Sequence, residues 1–157
     1  MVAAALFANG DGIRLGEMAL FRGWLWASLK RAGVPQIRIL LWSSVAFALW
    51  HLSWATLTTG KLPIGQVPVF NINAAVLRII WGLMRWIAGS VVVTSVSHGL
   101  WNGLDYVLFG FGTKLGILGI ANTAVFGPEV GILGLVVNLV FAAALWLVWR
   151  ARLMRTA

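Results

Sequence analysis

Apolar residues run along the chain in five long blocks, separated by short polar or Gly/Pro-rich breaks. The first covers roughly Gly12 to Leu29 and stops at Lys30-Arg31, with Gly33 and Pro35 just beyond. The second covers Ile37 to Thr58 and ends at Gly60-Lys61. The third lies within Ile64 to Trp86, with Pro63 and Pro68 near its start. The fourth opens at Gly89-Ser90 and reaches about Phe109, and the fifth covers Val130 to Trp149 before "RARLMR". A helix needs about 20 apolar residues to cross a bilayer core, and most blocks are near that length. The pattern therefore predicts an all-α fold: a polytopic membrane helix bundle of about five transmembrane helices. Between the last two blocks, "FGFGTKLGILGIANTAVFGPE" breaks the pattern and reads as a loop or a re-entrant Gly-rich segment. No strand precedes its spaced glycines, so they do not read as a phosphate loop. No soluble domain, linker or repeat interrupts the blocks, and residues 1–157 read as a single transmembrane domain.

Composition sharpens this picture. The chain is 61% hydrophobic and only 10% charged, where soluble domains sit near half and a quarter. A mean hydropathy of +0.91 agrees with the membrane class, and the ten tryptophans read mainly as interfacial anchors. With no cysteine, disulfides, thiol nucleophiles and Cys-ligated metals are excluded. The net charge of +8 does not imply nucleic acid, because the basic residues form no single stripe and sit at block ends. With five spans, Lys30, Arg31, Arg38, Arg85, Arg150, Arg152 and Arg155 fall on one side, while Arg14, Lys61 and Lys114 fall on the other. The positive-inside rule then puts the C-terminus in the cytoplasm and the N-terminus outside. "MVAAALFANGDG" has no basic start and does not read as a signal peptide. The expected setting is the lipid of a bacterial plasma membrane.

Polar residues inside the apolar blocks carry the candidate chemistry. A charge within a membrane span is costly and is normally paired, protonated or functional. Glu17 is the clearest such acid among the four in the chain, with Arg22 five residues on. His51 follows Phe47 by four, which puts both on one helix face, and Asn102 follows His98 by four. Asp105, three further on, reads as a helix-end residue near the interface. Ser95, Gly99 and Gly103 form a small-residue stripe that suits close helix packing. Glu17 lies 13 residues from Lys30, His51 lies 13 from Arg38, and His98 lies 13 from Arg85. That spacing puts each about 20 Å above the basic side, or His98 about 13 Å up if its helix starts only at Gly89. Three helices can thus bring one glutamate and two histidines to one layer. The plainer readings are histidines serving as interhelical glue and a structural Glu17–Arg22 pair.

A desolvated glutamate can take a proton from water, with a histidine orienting that water. A His and Asn on one face can donate to a developing oxyanion. Together these would hydrolyse an amide with no protein nucleophile. The same set supports a second chemistry, since Glu17, His51 and His98 would also serve as a zinc shell. No H-E-x-x-H of the common zinc proteases is present.

Three stretches, "EMALFRG" (Glu17–Gly23), "FALWH" (Phe47–His51) and "HGLWN" (His98–Asn102), come in this order on separate helices. They resemble the motifs E-E-x-x-x-R, F-x-x-x-H and H-x-x-x-N/D of the CPBP (CAAX protease and bacteriocin-processing) intramembrane protease family, which includes the type II CAAX prenyl endopeptidases. Gly89-Ser90, entering the helix of His98, is similar as well, and the resemblance spans roughly Gly16 to Leu108. It implies a membrane-embedded endopeptidase acting on membrane-associated protein or peptide substrates. Glu17 is implied as the base that activates water, His51 as a residue that holds the water, and His98 with Asn102 as the oxyanion site. Arg22 is implied as a structural support. The favoured mechanism requires no cofactor; zinc on Glu17, His51 and His98 is the alternative.

The chain departs from the family pattern at two places. Met18 stands where the family has its second glutamate, so the chain is either an enzyme of reduced activity or a catalytically impaired member acting as an immunity or scaffold protein. Family members usually carry further helices before the first motif, whereas 16 residues precede it here. A minimal core, a truncated product and a subunit needing a partner are the readings of that. Prenylated substrates are cytosolic, yet the expected orientation puts the polar layer in the outer half. Either the orientation is inverted or the substrate is a membrane protein or peptide other than a CAAX protein. A small transporter or proton relay built on Glu17 and the histidines is the third reading.

Overall fold

The breaks between blocks become turns for local reasons. After Lys30-Arg31 the chain turns through Ala32 and Gly33, whose φ of 73° is readily adopted by glycine, and Pro35 precedes the next helix. Gly89, at φ 67°, closes another helix in the left-handed conformation and returns its N–H to the Arg85 carbonyl. Ser90 then caps the next helix by accepting the N–H of Val92 at 3.2 Å.

A computed structural model describes residues 19–57, 62–111 and 114–156. A π-helical turn, Ala19–Trp24, runs into α1 (Leu25–Arg31). Next come α2 (Gln36–Leu57), a 3-10 turn (Ile64–Gln66) and α3 (Val67–Ala88). Then follow α4 (Val91–Leu108), the two-residue strands β1 (Gly110–Phe111) and β2 (Lys114–Leu115), α5 (Thr123–Phe126) and α6 (Ile132–Thr156). The strands pair antiparallel, with Gly110 opposite Leu115 and Phe111 opposite Lys114. The fold is therefore all-α apart from one minimal hairpin. Within the described residues, each of the five apolar blocks contains a helix, and the Gly-rich segment forms the hairpin and the single turn of α5. Two stretches, Ile64–Ala88 and Ile132–Arg155, are long and apolar enough to cross a membrane.

Helix α3 is central: it packs against α2, α4 and α6. Eleven of its residues are buried, Asn73 and Arg78 among them. The surrounding helices turn many large apolar side chains outward. On α2, Ser43, Ser44 and Phe47 face inward, while Leu41, Trp42, Val45, Leu49 and Trp50 face out. On α4 the buried residues are Thr94, His98, Asn102 and Asp105, with Val92, Val96, Leu100 and Leu104 exposed. Ser95, Gly99 and Gly103, the small-residue stripe, are half-buried beside this inward polar face. An apolar exterior of this extent suits a lipid surround.

Aromatic packing gathers at the basic end. Trp26 lies 5.6 Å from Trp86, Trp86 stacks on Trp149 at 4.6 Å, and Trp149 lies 4.9 Å from Trp146. Trp26 is buried and donates to Ser43 Oγ at 2.9 Å, so it acts as a core residue where the sequence suggested an interfacial anchor. Arg152 donates to the Ile87 carbonyl at 2.7 Å, satisfying one of the open carbonyls at the end of α3.

Candidate active site

Phe47 organises the site. The His51 ring lies 4.0 Å from it on the same helix, and the His98 ring meets it edge-on from α4 at 6.4 Å. The two histidines thus approach one buried phenylalanine from two helices. Phe70 adds a third element, 6.0 Å from His51. His98 also lies 4.1 Å from Trp81 of α3. Because α4 begins only at Val91, His98 is seven residues into its helix, about 10 Å from the helix start. The lower of the two depths expected for His98 is the one that applies.

Hydrogen bonds set the state of both imidazoles. His51 Nδ1 lies 3.0 Å from the Phe47 carbonyl. A carbonyl only accepts, so Nδ1 carries the proton, and in neutral His51 the Nε2 lone pair is the accepting one. Asn102 Nδ2 lies 3.0 Å from His98 Nε2. The amide donates, His98 Nε2 accepts, and the His98 proton resides on Nδ1. An amide nitrogen has two N–H groups, so Asn102 keeps a second donor. Both residues are buried, at 5% and 6% exposure, where a donor acts in a low dielectric.

Arg22 is fully buried. The π-helical turn brings Phe21 and Arg22, consecutive residues, into the interior together, where a regular α-helix would set Arg22 off to one side. Its Nη2 donates to the Arg78 backbone carbonyl. Among the described residues its Nε and Nη1 find no hydrogen-bond partner. The guanidinium packs over Trp26, with Cζ 5.4 Å from the ring centroid. Gly82 makes room for it: a Cβ there would fall 2.6 Å from Arg22 Nη1 and would overlap Leu40. Glu17 and Met18 lie outside the described residues; of the expected constellation the structure brings together Phe47, His51, His98 and Asn102, while Arg22 sits against the Arg78 carbonyl and Trp26.

A zinc shell on Glu17, His51 and His98 takes only its two histidines from the described residues, which contain no cluster of three metal-ligating side chains. His98 moreover turns its lone-pair nitrogen to the Asn102 amide. The third ligand of that shell, Glu17, lies outside the described residues, and zinc stays the alternative to a metal-free mechanism.

Comparison with known families settles the lineage. The family model for type II CAAX prenyl endopeptidase Rce1-like proteins matches residues 2–104. The chain belongs to this family. No curated protein and no solved structure matched. Rce1-like membership makes the chain a membrane-integral member of a protease family, which accounts for the apolar exterior. The matched residues include all three motifs and end before Glu129 and Asn138.

Several buried polar residues beside the Rce1-like motifs escaped sequence reading. Arg78 is fully buried in α3, with Cζ 4.7 Å from the Phe47 centroid and 5.2 Å from that of Phe21. An arginine inside an apolar block was a readable signal, because such a charge is costly. Asn73, Asn138 and Glu129 are also buried. Their partners lie 55 or more residues from Asn73 and 23 to 28 from Glu129, and no local spacing points to them.

Proposed function

We propose that the chain is an intramembrane endopeptidase that hydrolyses peptide bonds of membrane-associated proteins or peptides with a water activated by Glu17 and His51. Five membrane-crossing helices and a single domain complete this reading. The observation that carries it is the 3.0 Å contact between His51 Nδ1 and the Phe47 carbonyl. The His51 Nδ1–H is committed to that carbonyl, so Nε2 accepts a hydrogen bond from water and orients the oxygen. Glu17 takes the proton, and the oxygen attacks the substrate carbonyl carbon. The second N–H of Asn102, whose amide is fixed by its bond to His98, donates to the oxyanion. Collapse breaks the C–N bond, and the proton on Glu17 passes to the departing amine.

Met18 supports a second reading, in which the chain is a catalytically impaired member acting as an immunity or scaffold protein. A thioether cannot ionise, and where the second motif glutamate is essential the same fold performs no hydrolysis.

The test is cleavage of prenylated and non-prenylated membrane-anchored peptides by protein purified into lipid nanodiscs, read by mass spectrometry. We expect cleavage that a zinc chelator leaves unchanged and that His51→Ala lowers by about 10²-fold or more, in line with general acid–base contributions. A folded protein that cuts none of the panel favours the impaired-member reading. Cleavage abolished by chelator and restored by zinc refutes the metal-free mechanism.

A further inference from the structure

Glu129 lies outside both the three motifs and the matched stretch, yet it touches the helix of the site at two points. Its Oε1 accepts from Trp101 Nε1 at 2.8 Å, and its Oε2 accepts from Tyr106 OH at 3.1 Å. Trp101 and Tyr106 lie either side of Asn102 and Asp105 in the sequence of α4. One buried carboxylate thus holds two points, five residues apart, on the helix that carries His98 and Asn102.

The base of this clamp is itself fixed. Asn73 Nδ2 of α3 donates to the carbonyls of Pro128 at 2.7 Å and Glu129 at 3.0 Å. Asn138 Nδ2 of α6 donates to Asn73 Oδ1 at 3.0 Å and to the Pro128 carbonyl at 3.3 Å. The turn is too tight for added atoms: a Cβ on Gly127 would lie 2.6 Å from the Thr123 carbonyl oxygen, and one on Gly131 would lie 2.6 Å from Gly127 N. The carboxylate is therefore mounted on backbone tied to both α3 and α6. Trp101 also packs against the α3 cluster that includes Trp81, the residue against His98. A helix turned about its own axis by one residue step would carry His98 away from Phe47 and Asn102 with it.

We propose that Glu129 is a positioning residue: through Trp101 and Tyr106 it sets the rotation of α4, and with it the placement of the His98–Asn102 pair. Its catalytic consequence rests on the protease reading; its structural consequence does not. A carboxylate offers acceptors only, whereas an amide offers one acceptor oxygen and two donors, so Glu129→Gln removes the charge that strengthens both bonds and meets Tyr106 OH only as a donor, while leaving the backbone mount intact.

The chain contains two histidines, so their imidazole NMR resonances in detergent micelles can be told apart with His51→Gln. In Glu129→Gln the His98 resonances should move while those of His51 stay. Glu129→Asp, which keeps both oxygens, should return them part-way. In the cleavage assay kcat per folded molecule should fall about tenfold to a hundredfold, the scale of a small misplacement of a reacting group, with KM within twofold. Tyr106→Phe removes one clamp bond with little risk to folding and should move His98 in the same direction, which keeps the test available if Glu129→Gln does not fold. Unmoved His98 resonances in folded Tyr106→Phe overturn the proposal, whatever Glu129→Gln does. A natural protein that cleaves nothing, together with a shifted His98, refutes the protease reading and leaves the clamp standing.

Discussion

Gly82→Ala gives the sharpest check on how the core is assembled. At an unobstructed helix position this change stabilises by about 1 kcal/mol, because alanine is the better helix former. At Gly82 the new Cβ would fall 2.6 Å from Arg22 Nη1 and would overlap Leu40 Cδ1. Leu40 is 1% exposed and Arg22 fully buried, so neither moves away cheaply. Overpacking of a filled core costs about 1–3 kcal/mol. Taken together with the propensity gain, the expected change is a net loss of about 0–2 kcal/mol. Gly23→Ala is the control, since nothing lies within 4 Å of a Cβ there, and it should be neutral or stabilising. Leu40→Ala alone should cost about 2–5 kcal/mol for its cavity. In the double variant the Gly82 Cβ occupies part of that cavity, so the combined loss should be smaller than the two single losses added, by about 0.5–3 kcal/mol. Equilibrium unfolding in mixed micelles, followed by tryptophan fluorescence, measures all four variants against the natural protein. Stabilisation by Gly82→Ala, or strict additivity in the cycle, would refute the packing of Arg22 against α3.

Other consequences are simpler to test. Asn102→Ala should lower kcat by about 10²–10³-fold with little change in KM, the usual effect of removing one oxyanion donor; a change confined to KM would assign Asn102 to substrate binding. Trp26→Phe should cost about 1 kcal/mol through loss of its bond to Ser43. Ser43→Ala should add little to it, and additive losses in the same unfolding assay would show that the two residues act separately. Met18→Glu should raise cleavage by about tenfold or more if the missing carboxylate supports the base, and an unchanged rate would make that position dispensable in this chain.

Much of the helical architecture was legible because hydrocarbon and backbone chemistry act locally. The ends of α1 and α3 follow from Lys30-Arg31-Ala32-Gly33 and from Gly89, and the start of α4 from Ser90, each a residue type with a definite capping or turning role. The pairs Phe47/His51 and His98/Asn102 were readable because four-residue spacing alone aligns them. The π-helical turn at Ala19–Trp24 was not, since one extra residue per turn leaves no mark on a uniformly apolar run. On α4 burial follows the polar groups that must avoid lipid, His98, Asn102 and Asp105, with the small residues Ser95, Gly99 and Gly103 half-buried beside them. Arg78 was present in the sequence as a charge inside an apolar block, whereas its place over Phe47 and Phe21 depends on how α3 packs. The turn carrying Glu129 is specified by Asn73 and Asn138, partners made neighbours only by the tertiary fold.

The most direct measurement of the central claim compares the natural protein with Glu17→Gln in nanodiscs on the same membrane-anchored peptides, with cleavage read by mass spectrometry. The account predicts cleavage by the natural protein and loss of about 10²–10⁴-fold in the variant, the range general-base catalysis supplies. Equal cleavage by both folded proteins would contradict it, because no other residue has been given the proton of the attacking water.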